Sequence, residues 1–201
     1  MTNGKHTQLC VARHGETDWN AQGILQGWLD VPINEVGRRQ ALDMAAGLTT
    51  KGVKALWTSP LLRALETAEI IAEQLDLPPP LPHAGLKERC FGEIQGIPKS
   101  ELGESNPLLL QQILRRNPVA HFAGGETMDE FADRVLGALA DIGTQNGSAC
   151  VLIITHGWVM DVIKRQVENL PRQTILNSKP KNGDLLWLQV DSCSVARLQP
   201  E

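Results

Sequence analysis

An arginine and a histidine stand side by side at the end of a short apolar run. The run spans Leu9 to Ala12, and Arg13, His14 and Gly15 follow it. Arginine is permanently cationic and its planar guanidinium suits phosphate oxygens, whereas histidine is largely neutral near pH 7 and can act as a nucleophile. Because glycine tolerates sharp turns, the sequence predicts a turn that leaves His14 at a strand end. Alone, this tripeptide is weak evidence, since solvated basic pairs also follow many strands.

Three further groups that could handle a phosphate follow other predicted strands. Ser59 and Arg63 follow one, Glu88 follows another, and His156 follows a third. In open α/β sheets, ligands bind just beyond the carboxyl ends of the strands. We therefore expect these side chains to meet at one edge of a sheet, and the set is more specific than any single motif.

This set of residue types supports phosphoryl transfer through a phosphohistidine. The transition state spreads charge over three equatorial oxygens, so positioning and electrostatic stabilisation dominate catalysis. Arg13, Arg63 and His156 would hold those oxygens while His14 attacks phosphorus and forms a covalent intermediate. Glu88 could protonate the departing alkoxide if the nearby phosphate raises its pKa, and could then activate water.

Hydrophobic periodicity predicts the elements that must position these side chains. The predicted strands are Gln8 to Ala12, Lys54 to Thr58, a brief extended piece at Leu81 to Ala84, Cys150 to Ile154, and a closing hairpin of Asp184 to Val190 with Cys193 to Leu198 around a turn at Asp191-Ser192. The predicted helices follow Asn34, begin at Ser59-Pro60 and run to Leu77, follow a capping box of Thr127 and Glu130, and span about Trp158 to Asn169.

The order of these elements predicts an α/β fold. Strands that alternate with helices indicate a doubly wound, three-layer sandwich with a mostly parallel central sheet and helices on both faces. Residues Lys99 to Pro118 interrupt the alternation with one or two short helices. We therefore expect a single domain over residues 1–201, with a small helical insert at about 97–125 over the active site.

The composition of the chain excludes several classes of function. The chain has 201 residues and a net charge of -4, which fits one globular domain and argues against nucleic acid as a partner. The four cysteines are far apart, as expected in a reducing compartment, and stand at Cys10, Cys90, Cys150 and Cys193. Residues 1–8 are polar and no apolar run could span a bilayer. The expectation is a cytoplasmic protein without a membrane partner.

Six motifs together resemble the histidine phosphatase superfamily, the phosphoglycerate mutase-like proteins, and in particular its small phosphatase branch. The motifs cover nearly the whole chain, and they are Arg13 to Asn20, Leu25 to Asp30, Thr58 to Ala68, Leu86 to Gly92, Gly124 to Thr127 and Thr155 to Gly157. The resemblance implies that His14 is the phosphorylated nucleophile, that Arg13, Arg63 and His156 form the phosphate pocket, and that Glu88 is the proton donor. It also implies that the reaction needs no metal or other cofactor.

Candidate substrate contacts surround this core. The resemblance implies Asn20 as a further phosphate contact, although Asn20 and Gln26 could equally serve turn chemistry. Trp158 could rim the pocket or simply pack in the core. Gly27 and Gly157 adjoin these side chains and complete the candidate substrate-binding set.

Three functions compete for this constellation. The first is a metal-independent phosphatase acting on small phosphate monoesters, the second is a cofactor-dependent phosphoglycerate mutase, and the third is a non-catalytic module that binds a phosphorylated ligand. Mutases of the family carry a longer insert and a small polar residue after the second His-Gly pair. Here the insert is short, with Lys99, Arg115 and Arg116 as its basic residues, and Trp158 follows Gly157. These departures favour hydrolysis.

Rival phosphatase motifs are absent from the sequence. No cysteine precedes an arginine by six positions, and the chain has no Asp-x-Asp, no Gly-x-x-x-x-Gly-Lys and no His-Glu-x-x-His. The expected partner is a small phosphorylated metabolite. The sequence does not distinguish among sugar phosphates, phosphoglycerate-type acids, phosphoserine and ribazole phosphate as substrates. It gives no indication of the oligomeric state.

Overall fold

One sheet of six strands runs through the centre of the protein. The structure is a computed structural model that describes residues 7–177, 179–190 and 195–197. Its strands are β1 (Thr7–Arg13), β2 (Val53–Thr58), β3 (Leu81–Pro82), β4 (Cys150–Thr155), β5 (Leu185–Val190) and β6 (Val195–Arg197). They lie in the order β3-β2-β4-β1-β5-β6. Strands β3, β2, β4 and β1 are parallel to one another, and β5 pairs antiparallel with both β1 and β6. The predicted hairpin is confirmed, and its turn at Asp191-Ser192 lies outside the described residues.

Helices cover both faces of the sheet. The α-helices of the described residues are α1 (Asp18–Gln22), α2 (Glu35–Leu48), α3 (Leu62–Gln74), α4 (Lys99–Ser105), α5 (Pro107–Leu114), α6 (Met128–Asn146) and α7 (Gly157–Val167). Helices α2 and α3 pack on one face of the sheet, and α6 and α7 pack on the other. Along β4, Leu152 and Ile154 face the core beneath α2 and α3, while Val151 and Ile153 face the core beneath α6 and α7. Because β4 is apolar on both faces, it belongs in the middle of a doubly wound sheet. The three-layer α/β architecture is confirmed.

The predicted caps of α2 and α6 are confirmed, whereas the predicted start of α3 is wrong. The Asn34 side chain accepts a hydrogen bond from the Gly37 N–H and caps α2, and the capping box of Thr127 and Glu130 opens α6. By contrast, α3 begins at Leu62 rather than at Ser59-Pro60. Its first N–H donates to an Asp30 carboxylate oxygen at 2.9 Å, so the cap comes from a distant loop.

The end of α3 also differs from the prediction. The helix stops at Gln74 rather than Leu77, because Asp76 adopts a left-handed φ of 52° and the Leu77 N–H turns back to the Ala72 carbonyl. This is a Schellman-type ending. The last helix, α7, ends at Val167, two residues before the predicted end.

The insert lies at the carboxyl edge of β1, β2 and β4. It contains α4 and α5, as predicted, and Pro98 forms an isolated bridge with Ile24 in the loop after α1. Lys99, Ile113 and Arg116 line the same cavity as Arg13. Within the described part of the chain, every helix is too short or too polar to cross a membrane.

Candidate active site

A cavity of about 170 Å³ opens at this edge of the sheet. Its walls come from the end of β1, the loop after α1, the start of α3, the Glu88 loop, the insert and the segment before β5. The lining residues are Arg13, His14, Asn20, Ile24, Leu25, Gln26, Gly27, Arg63, Glu88, Phe91, Lys99, Ile113, Leu114, Arg116, Trp158 and Lys179. Four of the five predicted catalytic side chains therefore share one cavity.

His14 presents one unprotonated ring nitrogen to this cavity. Its backbone N–H bonds to the Thr155 carbonyl at 2.9 Å, and its Nδ1 lies 2.7 Å from the Gly15 carbonyl. A carbonyl only accepts hydrogen bonds, so Nδ1 carries the proton and Nε2 keeps its lone pair. Burial lowers the pKa of His14 well below 6.5, and Arg63 and Arg13 lower it further. The imidazole is therefore neutral at pH 7 and able to attack an electrophile.

The reason for glycine at position 15 differs from the prediction. Gly15 does not adopt a positive φ, so no sharp turn requires it. Instead, a Cβ at this position would lie 2.5 Å from the Gly37 carbonyl oxygen, and the Gly15 N–H donates to Thr67 Oγ1 at 3.0 Å. Glycine is needed because the His14 loop packs directly on the backbone of α2.

Two anchored guanidinium groups flank His14. Arg13 Nη1 donates to the Pro180 carbonyl at 2.9 Å, and Arg63 donates to the carbonyls of Leu29 and Gly27 at 3.0 and 2.8 Å. Burial lowers the pKa of Arg63 to about 10, which still leaves it cationic at pH 7. The buried Nε–H groups of both arginines have no hydrogen-bond partner among the described residues. Since a buried donor without a partner is costly, these groups suit an anionic ligand.

His156 lies against His14 but does not line the cavity. The two ring centroids are 5.1 Å apart with planes tilted by 58°, and His156 is fully buried. Its pKa is lowered well below 6.5 by burial, then by Arg63 and by His14. Its Nε2 lies 2.7 Å from the Ser59 hydroxyl, while its Nδ1 has no hydrogen-bond partner in the part of the chain that the structure describes.

Glu88 is a buried carboxyl group in a hydrogen-bonded loop. Its Oε1 accepts a hydrogen bond from the Arg89 N–H at 2.9 Å, and its own carbonyl accepts from Trp28 Nε1 at 2.7 Å. Burial raises the pKa of Glu88, although Arg116, the Arg89 N–H, Arg63 and Arg13 oppose that rise. A carboxyl group with a raised pKa holds its proton closer to neutral pH, as a general acid must.

The mouth of the cavity adds three cations to Arg13 and Arg63. These are Lys99, Arg116 and Lys179, so five cations face a single carboxylate among the described lining residues. Arg116 Nε donates to Asp161 Oδ2 at 2.5 Å, and its guanidinium lies 4.8 Å above the Trp158 ring. Although the whole chain is acidic, this cavity is strongly attractive to anions.

The sequence did not single out Lys179 or Asp161 as part of the site. Lys179 belongs to no predicted element, and Asp161 stands 45 residues from its partner Arg116. One signal was available for Asp161, because an acidic residue on the buried face of a helix needs a partner. Nothing local in the sequence marks Lys179.

The predicted substrate contacts divide into two groups. Asn20, Gln26, Gly27 and Trp158 line the cavity. Gly157 does not, and a Cβ there would lie 3.2 Å from Arg116 Nη2, so its small size gives Arg116 room. The Oδ1 of Asn20 already accepts from the Thr17 N–H in a capping box, which shows that turn chemistry and a place in the cavity wall coexist at this residue.

Comparison with known proteins matches this architecture. Residues 9–198 fit the family model of the histidine phosphatase superfamily, branch 1. A metal-independent phosphoserine phosphatase of Arabidopsis thaliana is 36% identical over 159 residues, covering 78% of this chain and 67% of that protein. A probable phosphoglycerate mutase, GpmB, of Klebsiella pneumoniae is 31% identical over 164 residues, covering 82% of this chain and 76% of that protein.

A solved structure has the same fold. The protein YhfR of Bacillus stearothermophilus superposes with a TM-score of 0.87 at 28% identity, covering 95% of each chain. The family match spans β1 through β6 and includes every side chain described around the cavity. The chain belongs to branch 1 of the histidine phosphatase superfamily, and it is an enzyme of the phosphatase type.

Proposed function

We infer that the protein is a metal-independent phosphatase that hydrolyses small phosphate monoesters through a phosphohistidine at His14. The observation that carries this proposal is the His14 ring itself. Its Nδ1 is held by the Gly15 carbonyl and its Nε2 is unprotonated. Arg13 and Arg63 stand beside it, and their Nε–H groups have no partner among the residues that the structure describes. A nucleophile between two oxyanion donors is what attack on a phosphoryl group requires.

The proposed reaction has two displacements. In the first, His14 Nε2 forms a bond to phosphorus, the bond from phosphorus to the ester oxygen breaks, and Glu88 gives its proton to that oxygen. In the second, Glu88 takes a proton from water, the water oxygen attacks phosphorus, and the bond from phosphorus to His14 breaks, releasing inorganic phosphate. Arg13, Arg63 and His156 stabilise the phosphoryl oxygens in both steps.

The site supports a small, anionic substrate. A cavity of about 170 Å³ suits an ester of a small metabolite, and Asn20, Gln26, Gly27 and Trp158 are in place to contact the group beyond the phosphate. Gly157 acts on the site through Arg116. The cations at the cavity mouth favour esters that carry additional negative charge.

Metal independence is supported by the residues around the site. The charge stabilisation that a metal would supply can come from the arginines, and the related Arabidopsis enzyme is named as metal-independent.

The test is release of inorganic phosphate from a panel of small monoesters by the purified protein in excess EDTA. The panel includes phosphoserine, sugar phosphates, ribazole phosphate and 3-phosphoglycerate. Release in EDTA is the expected result. Activity that EDTA abolishes would refute metal independence, and conversion of 3-phosphoglycerate to its isomer without release would establish the mutase reaction. If phosphate binds but no ester of the panel reacts, the result favours the binding module or a phosphatase whose substrate lies outside the panel.

A further inference from the structure

The Ser59 hydroxyl forms a hydrogen bond with a histidine and does not cap a helix. It directly follows β2, and its N–H donates to the Ile154 carbonyl of β4 at 2.9 Å. Its hydroxyl oxygen lies 2.7 Å from His156 Nε2, and both residues are fully buried. Because α3 takes its cap from Asp30, the Ser59 hydroxyl is not needed to start that helix.

The hydrogen bonds around this hydroxyl fix where its proton points. A serine hydroxyl has one proton and two lone pairs. The Leu61 N–H donates to one of those lone pairs at 3.3 Å. Among the described residues, the only acceptor within hydrogen-bonding distance of the hydroxyl is His156 Nε2. If Nε2 carried a hydrogen instead, the hydroxyl proton would be buried without an acceptor.

The protonation state of His156 decides which of its two ring nitrogens can accept the Ser59 proton. Burial and the neighbouring Arg63 hold the pKa of His156 well below 6.5, so its ring is neutral at pH 7 and carries a single N–H. If Nε2 accepts from Ser59, that N–H must be on Nδ1. Nδ1 is buried and has no hydrogen-bond partner within residues 7–177, 179–190 and 195–197, so it is the nitrogen available to a phosphoryl oxygen.

We propose that Ser59 is a positioning residue that holds His156 in the Nδ1–H tautomer, so that His156 donates a hydrogen bond to the phosphoryl group that His14 attacks. This proposal rests on the proposed function for its ligand, but the tautomer itself does not. Both histidines then carry their proton on Nδ1. His14 donates that proton to the Gly15 carbonyl and attacks with Nε2, whereas His156 accepts at Nε2 and donates from Nδ1.

The first test is nitrogen NMR of the wild-type protein labelled with ¹⁵N-histidine. A protonated ring nitrogen and an unprotonated one have well-separated chemical shifts, so the spectrum reports the tautomer without any assay of activity. His156 should show a protonated Nδ1 and an unprotonated Nε2, with assignment by comparison with His156→Gln. A protonated Nε2 in the wild type would overturn the proposal.

The second test compares three variants. Ser59→Ala should release His156 from the single tautomer and weaken binding of inorganic phosphate by about 3- to 10-fold, the loss expected for one hydrogen bond. Ser59→Thr keeps a hydroxyl and should retain the wild-type tautomer. Thr58→Val is the matched control, because Thr58 has a buried hydroxyl that bonds to the Ser59 carbonyl rather than to a histidine. If Ser59→Ala keeps the Nδ1–H tautomer, Ser59 does not set it.

The two proposals fail in different ways. If wild-type His156 has the expected tautomer but inorganic phosphate leaves its Nδ1 shift unchanged, the tautomer assignment stands and the donor role is refuted. If phosphate moves that shift but no ester is hydrolysed in EDTA, the donor role stands and the proposed phosphatase reaction is refuted. If Ser59→Ala weakens phosphate binding no more than Thr58→Val, the contribution of Ser59 to binding is refuted.

Discussion

Replacing Glu88 by glutamine tests the proton donor most directly. Glutamine has nearly the same shape as glutamate, and its side-chain oxygen can still accept the hydrogen bond from the Arg89 N–H, which spans 2.9 Å in the native protein. It is also neutral, like the protonated carboxyl group that the mechanism requires. The substitution therefore removes the transferable proton while leaving the packing and the charge of the acid form in place.

The expected loss depends on the leaving group. General acid catalysis contributes about 10²- to 10⁴-fold to a rate, which is about 2.7 to 5.4 kcal/mol of transition-state stabilisation. An alkyl phosphate leaves as a strongly basic alkoxide, so Glu88→Gln should slow its attack by that factor. The p-nitrophenolate ion is a far weaker base and needs little protonation, so p-nitrophenyl phosphate should lose about tenfold or less in the same step.

The assay must isolate the first displacement. Glu88 also activates water in the second displacement, and a slow second step would lower steady-state turnover equally for every ester. We therefore specify rapid-quench measurement of phosphoenzyme formation in a single turnover. Equal losses for the alkyl and the p-nitrophenyl ester in this step would refute Glu88 as the acid. Glu93→Gln is the matched control, since this carboxylate lies on the same loop but is not among the residues that line the cavity.

Three further predictions follow from the same geometry. His14→Ala should abolish turnover and labelling of the protein by radioactive phosphate while its circular dichroism stays unchanged; a labelled variant would place the nucleophile elsewhere. For an alkyl ester, kcat/KM should fall as pH rises through the raised pKa of Glu88, because only the protonated acid donates, and a pH-rate profile of Glu88→Gln should lack this limb. Asp161→Ala leaves Arg116 without its buried carboxylate and should lower the free energy of unfolding by about 3 to 5 kcal/mol; a loss below about 1 kcal/mol in a urea titration would show that the pair matters little.

The features that the sequence predicted correctly are those set by neighbours along the chain. The strand before Arg13, the Asn34 cap and the capping box of Thr127 and Glu130 each depend on residues within a few positions of one another. The convergence of the site also followed from sequence, because parallel strands end at a common edge. Local patterns in the sequence, together with the rule that parallel strands end at a common edge, were sufficient to predict these features.

The features that were missed depend on contacts between distant segments. The start of α3 is set by Asp30, 32 residues before Leu62, and the place of glycine at position 15 is set by Gly37 on α2. Lys179 lines the cavity because the segment just before β5 runs along the cavity wall. Such contacts leave no periodic signal in the sequence. Rules based on neighbouring residues therefore explain these positions incorrectly or give them no role.

The electrostatics of the cavity connect substrate binding to the chemical step. Arg13, Arg63 and Arg116 lower the pKa of Glu88 against the rise that burial causes, so the acid is held between two opposing effects. A bound phosphate ester offsets the charge of these arginines and adds its own negative charge, and both changes favour the protonated carboxyl group. Burial is the largest cause of the lowered pKa of His14, ahead of Arg63 and Arg13, and it persists when a ligand offsets the charge of these two arginines. Substrate should therefore raise the pKa of Glu88 while His14 stays neutral until it attacks. Carboxyl NMR of Glu88 with and without orthovanadate would detect that rise. An unchanged pKa of Glu88 would refute the proposed connection between substrate binding and the protonation of the acid.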